Sequence, residues 1–90
     1  KITQHNLLWA GKQTLELPAD AEILDVGWTN DEQPVLCLWA LGDPKSDKET
    51  RTFLVCGVDW AVEDKPYAYI GHAADRATDR LWFVFEDVSA

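Results

Sequence analysis

The sequence PVLCLWALGDPKSDKETRTFLVCG, residues 34–57, decides the fold class, because it holds two strongly apolar runs on either side of a charged connector. Residues 35–41 are apolar on both faces, which is typical of a strand that is covered on both sides. Residues 51–58 are rich in residues that favour β-structure. The connector at 45–50, KSDKET, contains no hydrophobic residue and is predicted to be a solvated loop. We therefore predict that the two runs are adjacent antiparallel strands joined as a hairpin.

The rest of the chain continues this pattern of short strands separated by turn residues. Pro18 ends one of them, because proline cannot donate to a β-ladder. Residues 73–79 fit either a single helical turn or a polar hairpin loop, and no segment shows a sustained 3.6-residue apolar stripe. We predict a single all-β domain over residues 1–90, as a small antiparallel β-sandwich or a partly open barrel of about six to seven strands. The further strands are predicted at residues 2–8, 13–17, 22–28, 67–71 and 81–88.

Composition and charge limit the classes of function. The 90 residues are 47% hydrophobic and 27% charged, which is typical of a soluble globular protein. Sixteen acidic and eight basic residues give a net charge of −8. Such a surface repels nucleic acid and anionic membranes, so direct nucleic acid binding is not expected. No apolar run approaches the roughly 18 residues of a membrane span, and no signal-peptide pattern is present, so a cytoplasmic location is expected.

The two cysteines are predicted to be buried thiols. Cys37 and Cys56 lie inside apolar runs, where free cysteine acts as a small hydrophobic residue. The chain has no C-x-x-C motif, and neither histidine lies at ligand spacing from a cysteine. A disulfide requires that the two strands pair and that the cysteines face each other. No metal or cofactor is predicted.

No motif in the chain predicts catalysis. His5 and His72 have the side chain of a general base, but no serine or cysteine nucleophile is placed beside either by a motif. The carboxylates near Asp43 and near Asp75 match no metal-binding loop and are predicted to be solvated. Glycine-rich phosphate-binding loops are also absent from the sequence. We therefore expect a protein that is not an enzyme.

Five tryptophans is a high number for so short a chain, and four of them can be compared as candidates for core or surface. At least two of Trp28, Trp39 and Trp82 are predicted to fill the core, and Trp39 is expected to be mostly buried. Trp60 differs, because it lies in GVDWAVEDKPY, a segment of loop composition. It is either a stacking platform for a ligand or a plug at the open end of the fold.

An aromatic face beside a guanidinium group can hold a flat anionic or polar ligand with few residues. The arginines are Arg51, Arg76 and Arg80, and two of them lie near predicted strand ends. One alternative is that Arg51 pairs with surface acids. Another is that Trp60 belongs to the core and the contact surface lies elsewhere, such as the 45–50 loop. The predicted ligand- or partner-binding residues are Trp60, Tyr67, Tyr69, Arg51 and Arg80.

Several segments carry a family resemblance. In order, TLELPADAEILDV, LCLWALGDP, KETRTF, YIG and LWFVFED resemble an uncharacterised family of small phage and prophage proteins, a domain of unknown function. The resemblance covers residues 2–87. It departs at 58–65, where similar proteins have a turn with glycine and histidine and this chain has Val58-Asp59-Trp60-Ala61. The resemblance implies a viral or prophage origin and a host bacterial cytoplasm, but it carries no established activity and no functional residues.

A small phage protein that is not an enzyme suggests an accessory role. We expect a counter-defence protein that sequesters a nucleotide-derived immune signal or occludes a host defence protein, and this role predicts a symmetric homo-oligomer. One alternative is an acidic DNA mimic, although adjacent acids occur only at 31–32, 63–64 and 86–87. Another is a small structural or chaperone-like virion component with a self-complementary sheet edge. The first strand, with Thr3, His5 and Asn6, would supply that edge.

Overall fold

The computed structural model describes residues 1–8, 10–30, 32–75 and 77–89, which form an antiparallel all-β structure. Three strands form the small sheet, in the order β1-β4-β3, and four form the large sheet, in the order β2-β5-β7-β6. The predicted β-sandwich is confirmed, and the sheets do not close into a barrel. The strands are β1 (Ile2–Asn6), β2 (Gly11–Pro18), β3 (Glu22–Trp28), β4 (Leu36–Leu41), β5 (Lys48–Gly57), β6 (Tyr67–Ala74) and β7 (Leu81–Asp87).

The predicted hairpin between residues 35–41 and 51–58 is wrong. β4 pairs with β1 and β3 in the small sheet, whereas β5 pairs with β2 and β7 in the large sheet. The connector therefore crosses from one sheet to the other, and residues 48–50 of the predicted loop belong to β5. Both runs are strongly apolar because each is a central strand, and a polar connector looks the same in a hairpin and in a crossing between sheets.

The core lies between the inner faces of the two sheets. On β4, alternate residues Leu36, Leu38 and Ala40 face the core, and on β5 Phe53 and Val55 do so. Burial of this apolar surface is the main stabilising contribution to a domain of this size. The other core members are Leu7, Leu17, Ala21, Val26, Ala73, Trp82 and Val84.

Both cysteines are buried free thiols, as predicted. Cys37 lies on the small sheet and Cys56 on the large sheet, so the condition for a disulfide is not met. Burial raises the pKa of each thiol. The neutral thiol is therefore favoured, which lowers the reactivity of both side chains.

One side of the sandwich is closed where β3 packs beside β6. A Cβ atom on Gly71 would lie 3.4 Å from Cγ2 of Val26, so the two strands approach closely here. The Trp28 indole Nε1 donates a hydrogen bond to the carbonyl oxygen of Ala74 at 2.7 Å. Each of these two strands also carries a register shift, between residues 23 and 25 in β3 and between 69 and 71 in β6.

Trp39 is partly buried and lies on the outer face of the small sheet, on the side opposite Leu38 and Ala40. Its ring packs over Gly27, where an added Cβ would be 3.1 Å from the ring carbon Cζ3. We expect Trp39→Ala to lower the free energy of unfolding by about 1–3 kcal/mol. That is less than the roughly 3–5 kcal/mol typical of a fully buried tryptophan.

Urea unfolding of Trp39→Ala beside Phe53→Ala measures this difference. Phe53 has no exposed surface and serves as the fully buried reference. Equal losses of stability in the two variants would show that Trp39 is a core residue in solution.

Candidate ligand-binding pocket

An open pocket of about 540 Å³ lies at the end of the large sheet where β5 ends and β7 begins. Backbone pairing of Gly57 with Trp82 brings these two strand ends together. The loop after β5 supplies one wall, and the β6–β7 hairpin loop supplies the other. The lining residues are Gly57, Val58, Trp60, Asp79, Arg80, Leu81 and Trp82.

Trp60 is held over the pocket by a tight turn. Its backbone N–H donates to the carbonyl oxygen of Gly57 at 3.3 Å, and Asp59 lies in the left-handed region with φ of 69°. The indole folds back over Gly57, where an added Cβ would be 3.1 Å from Nε1. It meets the Trp82 ring edge to face, with centroids 5.6 Å apart and planes at 88°. Trp60 is nevertheless 47% exposed, so it presents indole surface to solvent while its position is fixed.

The opposite wall is organised by Asp75, a buried acidic residue at the end of β6. Its carboxylate accepts a hydrogen bond from the Ala77 N–H at 2.9 Å. Its backbone N–H donates to the Arg80 carbonyl oxygen at 2.7 Å, and its carbonyl accepts from the Asp79 N–H at 2.8 Å. These bonds hold the hairpin loop in which Asp79 and Arg80 line the pocket.

The pocket combines three kinds of contact. The indole of Trp60 can stack on a flat group, and the guanidinium of Arg80 is a forked hydrogen-bond donor. The carboxylate of Asp79 accepts hydrogen bonds. Arg80 is exposed, and none of the ion pairs within the described part of the chain uses its guanidinium group. The arrangement fits a planar ligand that carries both donors and a negative or strongly polar group.

Arg51, another predicted binding residue, lies away from this pocket. Its Nε and Nη2 donate to the two carboxylate oxygens of Glu86 at 2.6 and 2.7 Å, and Nη1 donates to the carbonyl oxygen of Ala21 at 2.6 Å. The hydrogen bond to Glu86 raises the pKa of Arg51, and burial opposes this shift. The guanidinium therefore ties β5 and β7 to the turn before β3, which is a structural role.

Tyr67 and Tyr69 also lie outside the pocket. They point from β6 onto the outer face of the large sheet, where both rings contact Phe85. The Tyr69 hydroxyl is hydrogen-bonded to Nδ1 of His72 at 2.8 Å, and the His72 ring packs near Phe83. The predicted set of five residues is thus divided, and only Trp60 and Arg80 share the pocket.

Asp79 and Trp82 are pocket residues that sequence reasoning missed. The position of Trp82 at the start of a predicted strand places it near a strand end. Its location in the pocket follows from its pairing with Gly57, which depends on the order of the strands. Asp79 precedes Arg80 directly, and the same loop therefore carries both charges. Arg76 lies outside the described residues.

The histidines do not belong to the pocket. His5 Nε2 is hydrogen-bonded to the Thr3 hydroxyl at 2.8 Å, and burial, with a smaller effect from Lys48, lowers the pKa of His5. Within the described ranges, no three histidine, cysteine or acidic side chains are close enough together to hold a metal ion.

The fold and the pocket define a two-layer antiparallel β-sandwich with a ligand-sized opening at one end. Over residues 1–90 the chain matches the family described as a domain of unknown function, DUF7352, and it belongs to that family. The expectation of an uncharacterised family is therefore confirmed. No curated protein and no solved structure matches the chain. The described residues include no helix long and apolar enough to cross a membrane.

Proposed function

We propose that this protein acts by binding and not by catalysis, and that its pocket holds a nucleotide-like ligand. The observation that carries this proposal is the convergence of Trp60 and Arg80 from two separate loops on one open pocket. In this arrangement the base stacks on the indole of Trp60, and the guanidinium of Arg80 binds the phosphate. Asp79 accepts a hydrogen bond from an amino group of the base or from a ribose hydroxyl.

The volume of the pocket and the local charge of Arg80 are compatible with such a ligand. A volume of about 540 Å³ lies within the roughly 300–1,000 Å³ of small-molecule sites. The protein carries a net charge of −8, which opposes binding of an anion. Because Arg80 is not used by an ion pair among the described residues, its charge is available to offset this repulsion locally.

The resemblance to phage and prophage proteins suggests what such binding achieves. We propose a counter-defence role in the host bacterial cytoplasm, in which the protein sequesters a nucleotide-derived immune signal. Occlusion of a host defence protein by the same end of the sandwich is the alternative, with the exposed indole of Trp60 as its anchor.

Calorimetry with mononucleotides and cyclic dinucleotides tests the proposed ligand class. We expect at least one nucleotide to bind, and Trp60→Ala and Arg80→Gln each to weaken its affinity by about tenfold or more. A ligand at 100 times its dissociation constant should also stabilise the fold by about 2.7 kcal/mol, which a thermal melt detects.

Matched controls separate the pocket from other surfaces. Lys45→Gln removes an exposed cation from the connector, and Tyr69→Phe removes a hydroxyl from the outer face of the large sheet; both should bind as the parent does. If the Trp60 and Arg80 variants fold and bind the nucleotide normally, the site is wrong. If no nucleotide in the panel binds, the ligand class is wrong, and detectable turnover of a bound nucleotide would contradict a purely binding role.

A further inference from the structure

Among the residues that the structure describes, four strands lie at sheet edges, namely β1 and β3 in the small sheet and β2 and β6 in the large sheet. An exposed edge is a template for pairing with another chain, and proteins protect edges with charges, proline, bulges or cover from neighbouring segments. β3 and β6 each carry a register shift, and they cover each other at the closed side. β2 carries Lys12, Glu16 and Pro18. β1, with the sequence ITQHN, has no charged residue, no proline and no register shift.

Alternate backbone N–H and C=O groups of β1 point away from β4 and are available to pair with another strand. At its two ends, the Gly42 N–H donates to the Lys1 carbonyl oxygen at 3.0 Å and the Leu7 N–H donates to the Leu36 carbonyl oxygen at 2.8 Å. In an antiparallel ladder such bonded pairs alternate with unbonded ones. The N–H and C=O groups of Ile2, Gln4 and Asn6 therefore point away from β4, along the edge of the small sheet.

The charge distribution indicates which partner fits this edge. The chain has a net charge of −8, so two copies repel each other over most of their surface. Neither β1 nor its neighbour β4 contains an acidic residue, lysine or arginine. These two strands contribute no acidic side chain, and the charges beside them, Lys1 and Lys48, are opposite in sign to the net charge. This half of the small sheet is therefore where a second copy can approach with the least repulsion.

The strand is also complementary to itself. An antiparallel pair centred on Gln4 places Gln4 opposite Gln4 of the second copy, and Ile2 opposite Asn6 of the second copy. Each of these pairs can exchange two backbone hydrogen bonds, so every outward-pointing backbone group is used. Exposed and partly buried positions alternate symmetrically along β1. In the proposed pair, each partly buried residue therefore lies opposite a partly buried residue of the second copy, and the core-facing sides of the two small sheets point the same way.

We propose that β1 is a dimerisation edge that pairs with β1 of a second copy about a two-fold axis at Gln4. The contact is isologous, and it joins the two small sheets into one continuous sheet. It is independent of the Trp60 pocket and adds an interaction surface to the proposed binding function.

A charge-swap experiment tests this interface by sedimentation across a range of protein concentrations. We expect the unaltered protein to form a dimer, and Gln4→Lys and Gln4→Glu each to weaken dimerisation on the order of tenfold, because like charges then meet at the axis. An equimolar mixture of the two variants should associate again as a heterodimer. A general folding defect would not produce this rescue.

Two further variants complete the test. Thr14→Lys places the same charge on an exposed position of the β2 edge and should leave the dimer intact. Gln4→Pro removes a backbone N–H that points away from β4 and keeps the hydrogen bonds to β4, so the fold should persist and the dimer should be lost. A monomeric unaltered protein up to millimolar concentration would refute the proposal. So would a dimer that withstands the Gln4→Lys and Gln4→Pro changes.

Discussion

Replacing Arg51 with methionine is expected to destabilise the protein by about 3–5 kcal/mol, because Glu86 is then left as an unpaired, largely buried carboxylate. The two side chains are only 17% and 13% exposed, and they form a bidentate pair. The same change also removes the hydrogen bond to the Ala21 carbonyl oxygen. A loss of this size is a large share of the roughly 5–15 kcal/mol that stabilises a typical domain. Urea unfolding monitored by tryptophan fluorescence measures it.

Two controls decide whether the lost pair causes the effect. The double variant Arg51→Met, Glu86→Leu removes both charges and should recover most of the lost stability, since an apolar replacement of a buried pair is often neutral. Arg80→Met removes an exposed arginine and should change the stability by less than about 0.5 kcal/mol. If Arg51→Met and Arg80→Met have equal effects, the Arg51–Glu86 pair contributes nothing specific to the fold.

Trp82→Ala is expected to cost about 3–5 kcal/mol, through loss of buried apolar surface and the cavity that remains. Trp82 is 4% exposed and belongs to the core cluster, and its ring also supports Trp60 in an edge-to-face contact. The substitution should therefore weaken ligand binding as well as stability, because Trp60 loses the surface that fixes its orientation.

The comparison with Trp60→Ala separates these two roles. Trp60 is 47% exposed, so its removal should cost about 1 kcal/mol of stability or less and still abolish stacking on the ligand. Trp82→Phe keeps an aromatic ring in the core and should retain part of both properties. If Trp82→Ala unfolds at the same urea concentration as the parent, the ring is not part of the core in solution.

Local sequence patterns were sufficient for most strands. The predicted strand at residues 22–28 has the same first and last residues as β3, and β2 ends at Pro18 as expected. β6 is longer than predicted, since it continues through Gly71 to Ala74. Judged from the local sequence alone, a glycine indicates the end of a strand. In the structure, Gly71 lies inside β6, next to a register shift and close to β3. That contact involves residues distant in the chain, so no local pattern could signal it.

The pairing of strands does not follow from the local sequence patterns. The apolar runs at 35–41 and 51–58 predict one hairpin, whereas β4 and β5 are central strands of different sheets. An apolar run indicates that a strand is central and does not specify its neighbours. The same limit applies to the binding residues: Trp60 and Arg80 line one pocket, but Arg51 is hydrogen-bonded to Glu86, which follows it by 35 positions in the chain.

The sequence by itself determined that this is an acidic all-β protein with short strands, two buried thiols and a tryptophan in a loop, because these properties follow from composition and from period-two patterns. Only the tertiary structure decided which strands pair, whether Arg51 or Arg80 is available to a ligand, and that β1 is an edge strand. Those properties depend on contacts between segments far apart in the chain. Alternation of side chains determines which face of a strand is buried, but not which strand lies beside it.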